Sequence, residues 1–300
     1  MGCSQNNRAD AASLAPAQDQ NVGQRVIYGT DDRLDLYQVE QDLWKTKANS
    51  TVALMSSSKV SSNGLGGFRI STTNYGTSQS LCKNEPFYEQ VTAAFCSGSL
   101  IAPDIIMTAG HCIRSQSSCE STKFVFNFAY SAKGATPNNV GGDDVYSCKQ
   151  LIHSELNSSN MSDFALIRLD RKVVGHDPIA IRQSGGVADN ENLVVIGHPS
   201  GLPTKVAGGA SVRDNSLDAY FIANLDTYGG NSGSAVFNEA GLVEGILVRG
   251  ERDFVYKNGC YVSNVCTNSG CRGEDVTRVS EVLKYVDAAE LVPDVSASAP

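Results

Sequence analysis

Thr108-Ala109-Gly110-His111-Cys112 and Gly230-Asn231-Ser232-Gly233-Ser234 decide the fold, and Ser162-Asp163-Phe164-Ala165-Leu166-Ile167 lies between them. The first stretch ends a β-rich apolar run in a histidine. The second sets a serine in a turn flanked by glycines. The third carries an acidic residue into a strand-like segment. A serine hydroxyl is a poor nucleophile at neutral pH and needs an adjacent base. His111 is the candidate base for Ser232, and Asp163 the group that holds the other imidazole nitrogen. Gly229 and Gly230 permit a positive φ where a β-carbon would clash. A tight turn there aims the N–H groups of Gly230 and Ser232 at one point, an expected oxyanion hole.

The chain has 300 residues, 41 % of them hydrophobic, enough for one large or two small domains. Its net charge of −8 argues against a nucleic-acid partner, which needs clustered Lys and Arg. No apolar run of about 18 residues is present, so no transmembrane helix is expected. Nine cysteines without a CxxC pair point to disulfides rather than zinc or a redox centre. Setting Cys3 aside leaves an even set: Cys82, Cys96, Cys112, Cys119, Cys148, Cys260, Cys266 and Cys271.

Short β-type runs recur at Ser50–Met55, Gly67–Ile70, Ser97–Ile101, Ile105–Ala109, Lys123–Phe128 and Phe164–Leu169. A second set covers Asn192–Ile196, Ala219–Leu225, Ser234–Phe237 and Leu242–Val248. Gly, Ser, Asn and Pro clusters separate the runs, which predicts an all-β barrel or sandwich. From Glu274 to Leu291 the valines and leucine at 276, 279, 282, 283 and 286 make one apolar stripe, which predicts a C-terminal helix. Residues 1–25 are polar and read as a tail, propeptide or tether. Residues 26–291 read as the folded domain and 292–300 as a disordered tail.

The order His, Asp, Ser along the chain separates a chymotrypsin-type arrangement from the subtilisin and α/β-hydrolase types. With the three quoted stretches it resembles trypsin-like serine endopeptidases, closest to the bacterial glutamyl-endopeptidase branch, whose nucleophile also sits in Gly-Asn-Ser-Gly-Ser. The resemblance implies two packed six-stranded antiparallel barrels, a C-terminal helix, and a cleft between the barrels that holds His111, Asp163 and Ser232. It implies a Cys96–Cys112 bridge beside the histidine. Cys119 with Cys148 is the expected next pair, and the connectivity of Cys82, Cys260, Cys266 and Cys271 stays open.

The stretch Arg25-Val26-Ile27-Tyr28-Gly29-Thr30-Asp31-Asp32-Arg33 resembles the mature start of glutamyl-endopeptidase-like enzymes, with processing expected between Arg25 and Val26. Trypsin pairs the freed amine with an Asp just before the nucleophile; the residue here is Asn231. Asp226 falls where trypsin keeps the carboxylate that binds Arg or Lys, so cleavage after basic residues is expected. Thr227 matches a threonine of the glutamyl enzymes, but Leu247 stands where their histidine is expected. Arg249, beside the pocket, is a second candidate substrate-binding residue that attracts acidic side chains.

Met1-Gly2-Cys3-Ser4 looks like the remnant of a bacterial lipobox, which makes Cys3 a candidate lipid anchor; an ordinary polar N-terminus with an unpaired thiol is the alternative. The expected protein is a secreted or envelope-tethered monomeric serine endopeptidase acting on proteins or peptides, with no cofactor and no metal. A glutamyl-specific enzyme, a non-proteolytic esterase and a non-catalytic protease-fold binding module are the alternatives. The other histidines, His153, His176 and His198, read as surface or turn residues.

Overall fold

A computed structural model describes residues 26–293. The expected segment 1–25, with Cys3 and Arg25, and residues 294–300 of the expected tail lie outside the described residues.

The first barrel is built from β1 (Thr51–Ser56), β2 (Cys96–Ala102), β3 (Ile105–Thr108), β4 (Thr122–Val125), β5 (Val145–Leu156) and β6 (Asp163–Leu169). It closes in the order β1-β2-β3-β6-β5-β4, every pair antiparallel. The second consists of β7 (Asn192–Gly197), β8 (Lys205–Asp214), β9 (Tyr220–Ala223), β10 (Ala235–Asn238), β11 (Val243–Arg249) and β12 (Glu274–Arg278). Its order is β7-β8-β9-β12-β11-β10, closed by the β7–β10 pair. The two barrels therefore repeat one topology, and closure leaves each without an open edge. The short strand Arg33–Asp35 adds to β8 on the outside.

The barrels share one core. Met107, Phe164 and Leu166 of the first pack in the same cluster as Ile196, Val206, Ala235, Phe237 and Ile246 of the second. Each barrel also has an interior of its own, around Leu54, Phe124 and Ile167 in one and around Val195, Phe221 and Val276 in the other. The bridges are Cys82–Cys260, Cys96–Cys112, Cys119–Cys148 and Cys266–Cys271.

The C-terminal region corrects one expectation. Only Val279–Val282 forms an α-helical turn, while Glu274–Arg278 is the strand β12 between β11 and β9. The apolar stripe is real: Val279, Val282, Leu283 and Val286 pack on the shared core. Val276, however, points into the second barrel, where both neighbouring strands satisfy the backbone of its segment. Two further barrel strands escape the sequence pattern. β5 is half exposed and broken by two register shifts, and β8 carries Gly208 and Gly209.

Truncating the shared core is expected to cost the whole molecule. Leu166 is fully buried in it, so Leu166→Ala should lose about 2–5 kcal/mol of stability in a urea titration with the disulfides intact. A loss below about 1 kcal/mol would mean that the barrels do not pack as one unit.

Candidate active site

His111, Asp163 and Ser232 come from the loop after β3, the first residue of β6 and the turn before β10. The chain can pass from β3 to His111 only because residue 110 is glycine: a β-carbon there would stand 1.9 Å from the Glu155 carbonyl oxygen and 2.8 Å from that of Phe164. His111 Nδ1 lies 2.8 Å from Asp163 Oδ2, and the His111 backbone N–H donates to Asp163 Oδ1 at 3.0 Å. The carboxylate is 1 % exposed and the imidazole 14 %. Two contacts from one residue fix the imidazole plane and favour the tautomer with its proton on Nδ1, leaving Nε2 as the basic nitrogen.

The serine turn is held from several sides. Asn231 N–H donates to the Tyr228 carbonyl at 3.0 Å, Gly233 N–H to Leu247 at 2.8 Å, and Ser97 N–H to the Ser232 carbonyl at 2.8 Å. Ser97 Oγ donates to the Gly230 carbonyl at 2.9 Å. Gly230 has φ +94°, as expected, whereas Gly229 does not enter the left-handed region. Cys112 Sγ sits 3.7 Å from the Ser232 carbonyl oxygen, so the histidine loop and the serine turn touch. Cys112 and Cys96 are bonded to each other beside His111 and offer no thiolate for a metal.

The residues expected to read substrate fall in different places. Asp226 is 3 % exposed, and its two oxygens accept the N–H groups of Tyr28 at 2.7 Å and Asp32 at 2.9 Å. Its carboxylate thus clamps the segment after Val26 instead of lining the cleft. Burial is the main reason its pKa is pushed up to about 7; Asp31 adds to this, while the two N–H donors and Arg33 oppose it. Arg249 also departs from expectation. Its guanidinium reaches Asp275 Oδ2 (3.1 Å), the Met161 carbonyl (2.7 Å) and Asp163 Oδ2 (3.5 Å), because carboxylates of two strands face it there. Thr227 N–H donates to the Val26 carbonyl at 3.3 Å, and Val26 is fully buried.

Glu274 was not singled out by the sequence. Its fully buried carboxylate accepts Thr227 Oγ1 at 3.0 Å and the Glu251 N–H at 3.2 Å. It lies so close to Gly250 that a β-carbon there would meet it at 1.7 Å. The available signal was the acidic pair Glu274-Asp275 running directly into the apolar stripe that starts at Val276, where a buried charge needs partners. Asn231 carries no charge and accepts Ser234 Oγ at 3.3 Å. His176 and His198 are buried, not superficial. His176 bonds the Asn49 carbonyl and Asp144, and His198 bonds the Leu202 carbonyl, with burial pushing its pKa down to about 4.

The Asp226 clamp carries a pH signature. Its folded pKa of about 7 stands above the ordinary value near 4. The folded state therefore binds the proton more tightly, and the associated stability is full below about pH 4 and lost as pH rises towards 7. Unfolding titrations of the wild type and Asp226→Asn across this window are expected to diverge, the variant lacking that fall. Parallel curves would mean that burial does not hold the Asp226 carboxyl above its ordinary range.

A structural comparison finds a Glu endopeptidase solved in complex with MPD, at a TM-score of 0.52 and 18 % identity, covering 88 % of this chain and 99 % of that one. At that identity the likeness speaks for the fold. Secreted RxLR effector protein 73 of Plasmopara viticola is 28 % identical over 158 residues, which are 48 % of this chain and 38 % of that protein. The chain thus matches well under half the length of this curated relative. The trypsin-like peptidase domain family matches residues 96–246, half of the chain and inclusive of all three site segments. With this match and two barrels of like topology, the chain belongs to the trypsin-like peptidase family.

Proposed function

We propose that the chain is a serine endopeptidase in which Ser232 is the nucleophile, His111 the general base and acid, and Asp163 the partner of the imidazolium. The observation that carries this reading is the double hold of His111 on the buried Asp163 carboxylate, in a loop that touches the Ser232 turn. Ser232 Oγ attacks the scissile carbonyl as His111 Nε2 takes its proton, and the same nitrogen returns it to the leaving amine. Water then repeats the sequence on the acyl-enzyme. The N–H groups of Gly230 and Ser232 are the proposed oxyanion donors, each worth roughly 3–4 kcal/mol of transition-state stabilisation.

The preferred residue before the scissile bond is a basic one, read by Glu274 rather than Asp226. Asp226 is committed to the segment 28–32 and Arg249 to the acidic groups around Asp163. A third carboxylate, Glu274, stands beside Thr227 and already accepts its hydroxyl and the Glu251 N–H. A substrate guanidinium or ammonium gains a charge-assisted partner there, whereas a substrate glutamate meets like charge. The Glu-specific alternative therefore loses support. Such a specificity also suits the Arg25–Val26 bond, a candidate for self-processing. Four disulfides favour an oxidising location, secreted or at the cell envelope, with Cys3 as a proposed anchor. Among the described residues no helix is long and apolar enough to cross a membrane.

Fluorogenic peptides with Arg, Lys, Glu or Phe before the scissile bond test both parts. The expected result is cleavage after Arg and Lys, abolished in Ser232→Ala. In Glu274→Gln, kcat/KM for the basic peptides should fall at least about tenfold, because one ionic partner is gone. Preference for Glu would overturn the role of Glu274. A folded protein that cleaves nothing and resists fluorophosphonate labelling at Ser232 would instead be a protease-fold binding module.

A further inference from the structure

We propose that Arg249 is a positioning residue for the catalytic group, holding Asp163 in place from the second barrel; the inference rests on the triad reading above. Its guanidinium fork spends each nitrogen on a different partner. Nε donates to Asp275 Oδ2 at 3.1 Å, Nη2 to the Met161 carbonyl at 2.7 Å, and Nη1 stands 3.5 Å from Asp163 Oδ2, the oxygen that His111 Nδ1 meets. The guanidinium is 15 % exposed while both carboxylates are 1 % exposed, so these contacts act with little screening by water.

A second observation points the same way. Met161, two residues before Asp163, has φ +64°, a left-handed conformation costly for a large side chain. The group that Arg249 Nη2 holds is the carbonyl of this residue. Asn160 Oδ1 accepts the Ser162 N–H at 3.0 Å, and Thr277 Oγ1 of β12 accepts the Asp163 N–H at 3.3 Å. Arg249 thus fixes both ends of the short path into Asp163: the strained carbonyl before it and the carboxylate itself. A planar fork is suited to this task, since a lysine ammonium on a flexible stem cannot hold three acceptors in fixed directions.

Arg249 is removable without stranding a charge. Asp275 keeps Arg272 Nη2 at 2.6 Å, and Asp163 keeps both contacts to His111. Arg249→Met is therefore expected to fold. With the best peptide its kcat should fall about 10- to 100-fold, the range expected when a catalytic group loses sub-ångström placement, while KM stays within about twofold. The downfield proton resonance of His111 Nδ1–H, assigned by its loss in His111→Gln, should shift or broaden in the variant. Arg249→Gln, which keeps a donor for the Met161 carbonyl, serves if the methionine variant is unstable, and should give the same pattern in weaker form. A raised KM with intact kcat would make Arg249 a substrate contact and overturn the proposal. So would a variant with unchanged kcat and an unchanged resonance. Failure of the triad reading is separate: wild-type protein would then resist fluorophosphonate at Ser232, and the resonance would still report whether Arg249 holds the Asp163–His111 pair.

Discussion

A carboxylate buried at the seam of two barrels is the constraint around which this molecule is arranged. Asp163 opens a strand of the first barrel, yet Thr277 and Arg249, which flank it, belong to strands of the second. A charge buried without partners is costly. The structure instead gives it two contacts from His111 and a cation at slightly longer range. The barrels must consequently be packed in one register before the charge is tolerable. That links the chemistry of the cleft to the shared core of Phe164, Leu166 and Ile246.

The same arrangement carries a trade-off. A positive group 3.5 Å from the oxygen that faces His111 offsets part of the field that would favour an imidazolium. Asp275 moderates it, since that carboxylate binds both Arg249 and Arg272. The result is an alternating row of charges, Arg272, Asp275, Arg249, Asp163 and His111, in which each carboxylate lies between two positive or proton-donating groups. Geometric control of the carboxylate is gained at some cost in its electrostatic strength.

What could be read from the sequence follows a physical division. The turns around His111 and Ser232 were legible because close backbone approach and a positive φ demand glycine at fixed offsets from the reactive side chain. Strands buried on one or both faces, such as β2, β3 and β6, announced themselves through β-branched and apolar runs. β5 did not, since its exposed side chains are polar and its bulges break the alternation. The end of the chain was misread over β12 because valines spaced by three residues serve a strand and the following helical turn alike. Asp226, Arg249 and Glu274 lay beyond local pattern. Their partners, Tyr28, Met161 and Thr227, are distant in sequence, and only packing brings them together.

The serine turn itself is secured without a buried ion pair at the residue before the nucleophile. Asn231 turns its side chain to Ser234, and the carbonyls on either side of the turn are taken by neutral donors: Ser200 N–H on Gly229 and Ser97 Oγ on Gly230. Upstream, Arg33 stacks 4.1 Å over the ring of Tyr228, and Asp226 accepts two N–H groups of the same N-terminal segment. Residues 226–228 are thus braced by residues 26–33 through backbone hydrogen bonds and stacking. These contacts are made by Val26 to Arg33 through their carbonyls, amide N–H groups and side chains. Order in the turn is therefore tied to the seating of residues 26–33 against residues 226–228.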